Sequence, residues 1–186
     1  MEKRYIIGID QSTQGTKALL FDGVGHLLRR TDLPHRQIVN EKGWVSHDLN
    51  EIYRNTVQTV KTLVAESGVA PETIAGIGIS NQRETTAIWD KATGEPLEEA
   101  IVWQCGRASG IAQEIAEQGH AEEIREATGL QLSAYFPAAK MAWLLRNGGE
   151  ERQKRAADGK LCLGTIDSWL VYKLSLIHIS EPTRLR

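Results

Sequence analysis

Residues 5–22 read Y-I-I-G-I-D-Q-S-T-Q-G-T-K-A-L-L-F-D, and the interpretation of the whole chain starts from them. Residues 5–9 are a continuous apolar run, which is typical of a strand buried on both faces. The run ends at Asp10, a small and polar loop follows at 11–15, and residues 17–21 are apolar again. The stretch therefore predicts two strands joined by a tight polar turn.

The turn of this hairpin suits a phosphorylated ligand. Backbone N–H groups in a loop of small residues can hold phosphate oxygens, and the Asp10 carboxylate can hold the accompanying Mg²⁺, directly or through its water shell. Lys17 adds a positive charge just past the turn. The alternative is an ordinary hairpin with a solvated Asp10 and Lys17. The loop is not a Walker loop, because the G-K-[ST] ending and the following helix are absent.

Length, charge and cysteine content exclude several classes of protein. The 186 residues suffice for one domain with a hydrophobic core. The 22 basic and 24 acidic residues give a net charge of −2, which offers no electrostatic case for nucleic acid or an anionic membrane. No apolar run reaches the length of a signal-peptide core or a membrane span. Cys105 and Cys162 lack metal-site spacing, so we expect buried, reduced thiols in a cytoplasmic protein.

The rest of the chain predicts interleaved strands and helices. Asp48 and Glu51 form a D-x-x-E capping pattern for an amphipathic helix that ends at Gly68. Because the chain opens with antiparallel strands, it favours a ribonuclease-H-like α/β fold, with a mixed sheet and flanking helices, over a doubly wound sheet. Further strands are predicted over residues 24–32, 74–80 (buried), 87–90, 100–103 and 161–164, and further helices over 108–117, 121–127, 138–146, 150–157 and 166–174.

A second polar segment follows the predicted strand at 74–80. Residues 81–86, N-Q-R-E-T-T, place Arg83 and Glu84 side by side. Neighbouring side chains of a strand point to opposite faces, so joint action requires an irregular loop. In one cleft, Arg83 would donate to the hydroxyl oxygens of a polyol and Glu84 would accept from its hydroxyl hydrogens. The spacing alone favours the alternative, a solvated surface pair.

Four segments together carry a resemblance to a known family. G-I-D-Q-S-T-Q-G-T-K at 8–17 resembles the opening of the FGGY carbohydrate kinases, which belong to the actin-like ATPase superfamily. N-Q-R-E-T-T at 81–86, A-I-V-W-Q-C at 100–105 and T-G-L-Q-L-S-A-Y-F at 128–136 follow in the order of the family's glycerol kinase pattern. Residues 161–174 are similar to a further family segment, in which we expect Asp167 to cap a helix. The resemblance predicts that residues 1–174 are an incomplete FGGY N-terminal domain.

The resemblance implies transfer of the γ-phosphoryl group of ATP to a primary hydroxyl of glycerol or a similar small polyol, with Mg²⁺. Asp10 would organise the metal, and the phosphates would be held by Asp10, Thr13, Gln14, Gly15 and Lys17. The acceptor would be bound by Arg83, Glu84, Trp103 and Tyr135, the two rings lying against its carbon side. The family's catalytic base is an Asp in a later motif, so no catalytic residue is expected in this chain. We therefore expect the chain to be inactive without the C-terminal domain of the same protein, which would be a homo-oligomer when complete.

Departures from the family pattern keep other acceptors open. Gln14 and Lys17 stand where glycerol kinases commonly have a hydroxyl residue and an arginine, and Gly106 stands where a second arginine is usual. Another small polyol or a ketose, as in a xylulokinase-like enzyme, is the alternative acceptor. Outside the enzymes, the alternative is a non-kinase actin-like ATPase module, which would have no use for the acceptor set.

The last residues break away from the preceding pattern. Residues 175–186, S-L-I-H-I-S-E-P-T-R-L-R, resemble the translation of a sequencing-library adapter read through at the end of a truncated DNA fragment. We therefore expect a non-native tail, against the alternative of a natural, variable C-terminal segment.

Overall fold

The computed structural model describes residues 4–175, which form two compact units. Of the described residues, the first unit contains 4–37 and 47–82, and the second contains 38–46 and 83–175. Apart from Ser175, the predicted non-native tail lies outside the described residues. The assignment of residues 1–174 to one domain stays a prediction.

Strands and helices alternate along the chain much as the sequence predicts. The strands are β1 (Tyr5–Gln11), β2 (Gly15–Phe21), β3 (Leu27–Pro34), β4 (Ile38–Val39), β5 (Val45–His47), β6 (Ile74–Asn81), β7 (Thr86–Asp90), β8 (Ala100–Ile101) and β9 (Leu161–Thr165). The helices are α1 (Leu49–Ser67), α2 (Ser109–Glu117), α3 (Ala121–Thr128), α4 (Pro137–Asn147), α5 (Gly149–Ala157) and α6 (Ile166–Ser175). The third strand begins three residues later than predicted, because residues 22–26 form a turn in which Asp22 accepts hydrogen bonds from the backbone N–H groups of Val24 and His26.

The sheet of the first unit has the strand order β3-β2-β1-β6. β1 pairs antiparallel with β2 and parallel with β6, so the predicted mixed sheet is confirmed. Side chains alternate between the two faces of each strand. Ile7, Ile9 and Leu20 are buried on the face against which α1 packs, together with Leu63 of that helix.

Helix α1 begins and ends where the sequence predicts. The Asp48 carboxylate accepts hydrogen bonds from the N–H groups of Asn50, at 2.8 Å, and Glu51, at 3.2 Å. Gly68 ends the helix in the left-handed region, with φ of 70°. Glu51 does not close the capping box, because its carboxylate accepts from Nε of Arg36 at 3.3 Å.

Burial of this sheet on both faces was wrongly predicted. Ile6 of β1 is 51% exposed and Ile77 of β6 is 54% exposed, and most of β6 is exposed. Within residues 4–175, only the α1 face of the sheet is covered, and β6 is an edge strand. A continuous apolar run shows that both faces are apolar, but it does not supply the element that covers the second face.

The second unit is built on a sheet with the strand order β4-β5-β8-β7-β9. β7 pairs antiparallel with β8 and β9, and α4, α5 and α6 pack against β9. Its core includes Val45, Ile88, Ile101 and Leu144. Both cysteines are unpaired, with Cys105 buried and Cys162 half-buried.

None of the helices within residues 4–175 combines the length and the apolar character that crossing a membrane requires.

Candidate functional site

The hairpin of β1 and β2 places Asp10 and Lys17 directly opposite each other. Both lie on the sheet face away from α1, since Ile9 and Ala18 next to them point into the core. Lys17 Nζ donates to Asp10 Oδ2 at 2.9 Å, and the side chains are 36% and 41% exposed, respectively. The predicted metal ligand and the predicted phosphate-binding cation are therefore paired with each other in this structure.

The turn between the strands, residues 12–15, is fixed by its carbonyl groups. The Ser12 carbonyl accepts from Nε2 of Gln11 at 2.9 Å, and the Gln14 carbonyl accepts from the backbone N–H of His35 at 3.2 Å. In a planar trans peptide the C=O and N–H groups point in opposite directions. The N–H groups of Thr13 and Gly15 therefore point away from these two donors. An anion-binding turn needs backbone N–H groups that point away from the protein's own donors.

Gly15 is required by the close approach of β3 to this turn. A Cβ atom built at Gly15 would lie 2.6 Å from the carbonyl oxygen of Leu33 and 3.0 Å from Cα of Pro34. Real side chains do not tolerate such a distance to backbone atoms. The prediction of Gly15 as part of the turn thus has a steric basis as well as a chemical one.

A groove of about 330 Å³ lies beside the turn. Besides Ser12, Gln14 and Lys17, it is lined by Arg30 and Asp32 of β3, which form an ion pair at 3.3 Å. The sequence reasoning missed these two residues, because exposed charges on a strand carry no motif. The only available signal was the alternation of β3, which places residues 30 and 32 on one face.

The donor set on this hairpin fits a magnesium ion that arrives with phosphate groups. Magnesium keeps several waters and is commonly bound by one or two carboxylates together with substrate phosphates. Asp10 offers one carboxylate, and within residues 4–175 no group of three or more His, Cys, Asp or Glu side chains is arranged for a metal. Asp10 alone does not make a protein cage, so this carboxylate fits a single ligand of an ion held mainly by phosphates and water.

In the second unit, Arg83 and Glu84 lie in the irregular turn between β6 and β7. Glu84 has φ of 67°, the one non-glycine residue with positive φ within residues 4–175. Its carbonyl accepts from Oγ1 of Thr86 at 3.1 Å. Arg83 is exposed, and Glu84 is half-buried. The strand alternation is broken here, as joint action of the two side chains requires.

Trp103 and Tyr135 come together although they are far apart in sequence. Their rings pack edge to face, with centroids 5.9 Å apart and planes at 67°. The backbone N–H of Trp103 donates to Oγ1 of Thr85 at 3.2 Å, so Trp103 is anchored to the residue after Glu84. Tyr135 is 40% exposed, and its ring surface remains open to a ligand.

Lys140 lies beside Tyr135 and was not predicted as a site residue. Its ammonium donates to the backbone carbonyls of Tyr135 and Phe136, the second at 3.3 Å. Burial lowers the pKa of Lys140 to about 8, although the charges of Glu84 and Cys105 act to raise it. Thr85 thus connects the turn at Glu84 to Trp103, whose ring contacts that of Tyr135, and Lys140 holds the backbone at Tyr135. None of the ion pairs and cation–ring contacts found within residues 4–175 joins the exposed Arg83 to this group.

Comparison with known proteins gives one consistent result. The profile of "FGGY family of carbohydrate kinases, N-terminal domain" matches residues 5–185. The chain is 46% identical to glycerol kinase of Enterococcus casseliflavus over 182 residues, which are 97% of this chain and 36% of that protein. It is 42% identical to glycerol kinase 2 of Thermotoga maritima over 180 residues, which are 96% of this chain and 36% of that protein.

Solved structures agree with the sequence comparison. A crystal structure of Plasmodium falciparum glycerol kinase with ADP matches with a TM-score of 0.80 and 34% identity, covering 94% of this chain and 35% of that one. A ligand-bound xylulose kinase from Lactobacillus acidophilus matches with a TM-score of 0.75 and 23% identity, covering 91% and 33%, and shows the same fold. The chain thus spans about a third of the length of the proteins it matches.

Proposed function

The chain belongs to the FGGY family of carbohydrate kinases, and on this basis we propose that it is the N-terminal part of an ATP-dependent polyol kinase. The proposed reaction moves the γ-phosphoryl group of ATP to a primary hydroxyl of glycerol or a similar small polyol. Catalysis of this type depends mostly on positioning and on charge stabilisation. We assign the binding of the acceptor to the second unit and the binding of the phosphates to the first.

The observation that carries this proposal is the arrangement of Glu84, Trp103 and Tyr135 in the second unit. The two rings form an apolar wall, and Thr85 joins the Trp103 backbone to the turn that contains Glu84. A small polyol has a carbon side and a hydroxyl side, so it needs an apolar wall and a few polar groups. The rings would take the carbon side, Glu84 would accept from hydroxyl groups, and the exposed Arg83 would donate to them.

In the first unit, we assign the phosphates to the turn at 12–15. The amides of Thr13, Gln14 and Gly15 would hold phosphate oxygens, and Lys17 would supply a point charge. Asp10 would hold Mg²⁺ with its remaining water ligands. When bound, the ion neutralises charge on the phosphates. Because Lys17 is paired with Asp10 in the structure, we expect a ligand to compete for this cation.

The proposal assigns the complete reaction to the whole protein, since the chain spans about a third of its relatives. A general base for the acceptor hydroxyl is needed, and we place it in the C-terminal part of the same protein. We also propose that the protein is cytoplasmic and that it forms a homo-oligomer when complete. We expect no ADP release when the 186-residue chain is assayed alone with ATP and glycerol, and measurable turnover would contradict this division.

The acceptor site is tested by titrating the chain with glycerol and, separately, with xylulose while recording the ¹H–¹⁵N resonance of the Trp103 indole. We expect glycerol to shift this resonance in a saturable manner, and Arg83→Ala or Glu84→Gln to weaken the response. Arg125→Ala is the matched control, because Arg125 is exposed on α3 and forms an ion pair with Glu122 of its own helix.

The outcomes separate the candidate functions. A response to xylulose at lower concentration than to glycerol would favour a ketose acceptor and a xylulokinase-like enzyme. No response to either compound would overturn the assignment of an acceptor site and favour a non-kinase ATPase module.

A further inference from the structure

Three buried polar side chains lie under the phosphate turn of the first unit, and the proposed function does not use them. Gln11 and His47 are fully buried and Gln82 is 6% exposed. Strand alternation explains the position of Gln11, which points to the core face of β1 whereas Asp10 points to the opposite face. Burial of amide and imidazole groups is unfavourable unless they are hydrogen-bonded, so their partners indicate what they do.

The partners form a continuous chain that ends on the turn. Gln82 Nε2 lies 3.1 Å from Nδ1 of His47 and donates to Oε1 of Gln11 at 3.3 Å. Gln11 Nε2 in turn donates to the Ser12 carbonyl at 2.9 Å. The backbone supports the same contact, because the N–H of Gln82 donates to the carbonyl of Gln11 at 2.6 Å.

The hydrogen-bond acceptor at the end of this series, the Ser12 carbonyl, fixes the orientation of every side chain in the series. A carbonyl only accepts, so Gln11 presents its NH₂ group to Ser12 and its oxygen to Gln82. Gln82 must then present its NH₂ group to Gln11 and to His47. His47 therefore accepts through Nδ1, and its neutral ring carries the proton on Nε2. Burial, with a smaller effect of His35, lowers the pKa of His47 to about 4, which keeps the ring neutral at physiological pH.

The His47 ring is itself held in place by His35. The two rings pack edge to face with centroids 4.7 Å apart. The backbone N–H of His35 donates to the carbonyl of Gln14 at 3.2 Å. Two of the three peptide groups whose N–H groups are proposed to hold phosphate, 12–13 and 14–15, are thus held through their carbonyls, the first by Gln11 and the second by the His35 backbone.

We propose that Gln82 and His47 are positioning residues of the phosphate turn. They hold the Gln11 amide against the Ser12 carbonyl, and the planar peptide then aims the Thr13 N–H outward. This role rests on the proposed function of the turn. Neither residue touches the ligand, and their contribution is to reduce the freedom that the turn would lose when it binds.

The test uses the 186-residue chain and inorganic pyrophosphate with Mg²⁺ as the probe. Gln82→Met keeps the length of the side chain and the backbone contact with Gln11 but removes the amide. His47→Leu removes the acceptor, whereas His47→Asn places an amide oxygen near the position of Nδ1. We expect pyrophosphate to bind roughly three- to tenfold more weakly to Q82M and H47L. We expect H47N to bind nearly as tightly as the wild type.

A purely structural role predicts the opposite order for the two His47 variants, because leucine fills an apolar space better than asparagine does. Leu63→Ala is the control for lost stability, since Leu63 is a buried core residue of the same unit that takes no part in the hydrogen-bond chain. Equal or tighter binding by H47L than by H47N, or unchanged binding by Q82M, would overturn the proposal.

A second measurement needs no ligand and separates this proposal from the proposed function. The amide ¹H–¹⁵N resonance of Thr13 should move in Q82M and H47L and return toward its wild-type position in H47N. An unmoved Thr13 resonance in Q82M would refute the positioning role. If the wild type binds no pyrophosphate, the assignment of the turn to phosphate fails, and the Thr13 resonances still decide whether Gln82 and His47 orient the peptide.

Discussion

Replacing Lys140 by methionine tests whether the proposed acceptor site of the second unit contains a buried charge. Lys140 is fully buried, and its ammonium is held by the backbone carbonyls of Tyr135 and Phe136. Burial lowers its pKa from 10.5 to about 8, against the opposing effect of Glu84 and Cys105. The folded chain therefore releases this proton at a lower pH than the unfolded chain does.

The sign and size of the effect follow from proton linkage. Below about pH 8 the lysine is charged in both states, and above pH 10.5 it is neutral in both. Between these values the unfolded chain binds more protons, so the free energy of unfolding rises with pH. The shift of about 2.5 units, at about 1.4 kcal/mol per unit, amounts to about 3 kcal/mol. K140M lacks this pH-dependent contribution to the free energy of unfolding.

The assay is urea unfolding followed by tryptophan fluorescence, at pH values below, within and above this window. We expect the difference in unfolding free energy, wild type minus K140M, to rise by about 3 kcal/mol across the window. Lys154→Met is the matched control, because Lys154 is exposed on α5 of the same unit. A difference between wild type and K140M that stays constant with pH would refute the reasoning, since it would mean that the ammonium is solvated in the folded chain.

Three further predictions concern single positions. Burial lowers the pKa of His47 from 6.5 to about 4, so stability should fall by about 3 kcal/mol as the pH drops through this range, and the fall should be absent in H47N when both are followed by urea unfolding. Gly15→Ala should destabilise the chain by about 1–3 kcal/mol, because its Cβ would overlap the Leu33 carbonyl. Gly78→Ala is the control and should change the melting temperature little, because its Cβ would meet no atom within 4 Å. Glu84→Gly should be more stable than Glu84→Gln by about 1 kcal/mol in the same urea assay. Both variants lack the carboxylate, and only glycine is unstrained at the φ of 67° found at this position. Equal stability of the two variants would contradict the assignment of strain.

Features that depend on local sequence were predictable. Asp48 caps α1 and Gly68 ends it because capping and left-handed termination need only a few neighbouring residues. The β1–β2 hairpin was predictable for the same reason, since two apolar runs flank a short polar turn. The FGGY motifs then identified the family, which the sequence and structure comparisons confirm.

Features that depend on distant contacts were not predictable in this way. The open face at Ile6 and Ile77 could not be inferred from apolar periodicity, which gives no information on what covers a strand. His47 belongs to none of the sequence motifs. Its role under the turn becomes visible only when Gln82, 35 residues away, is placed beside it.

Because the contacts that orient the turn lie apart from its exposed side chains, we expect the turn to tolerate departures from the family pattern. Gln14 and Lys17 differ from the residues common in glycerol kinases, yet the proposed phosphate ligands include the backbone amides of the turn. The directions of those amides are set by the carbonyls of Ser12 and Gln14, which are held by Gln11 and by the His35 backbone. None of these contacts involves the side chains at 14 and 17. Exposed side chains can therefore vary and adjust the local charge, while the buried hydrogen-bond chain preserves the geometry that would hold a phosphate.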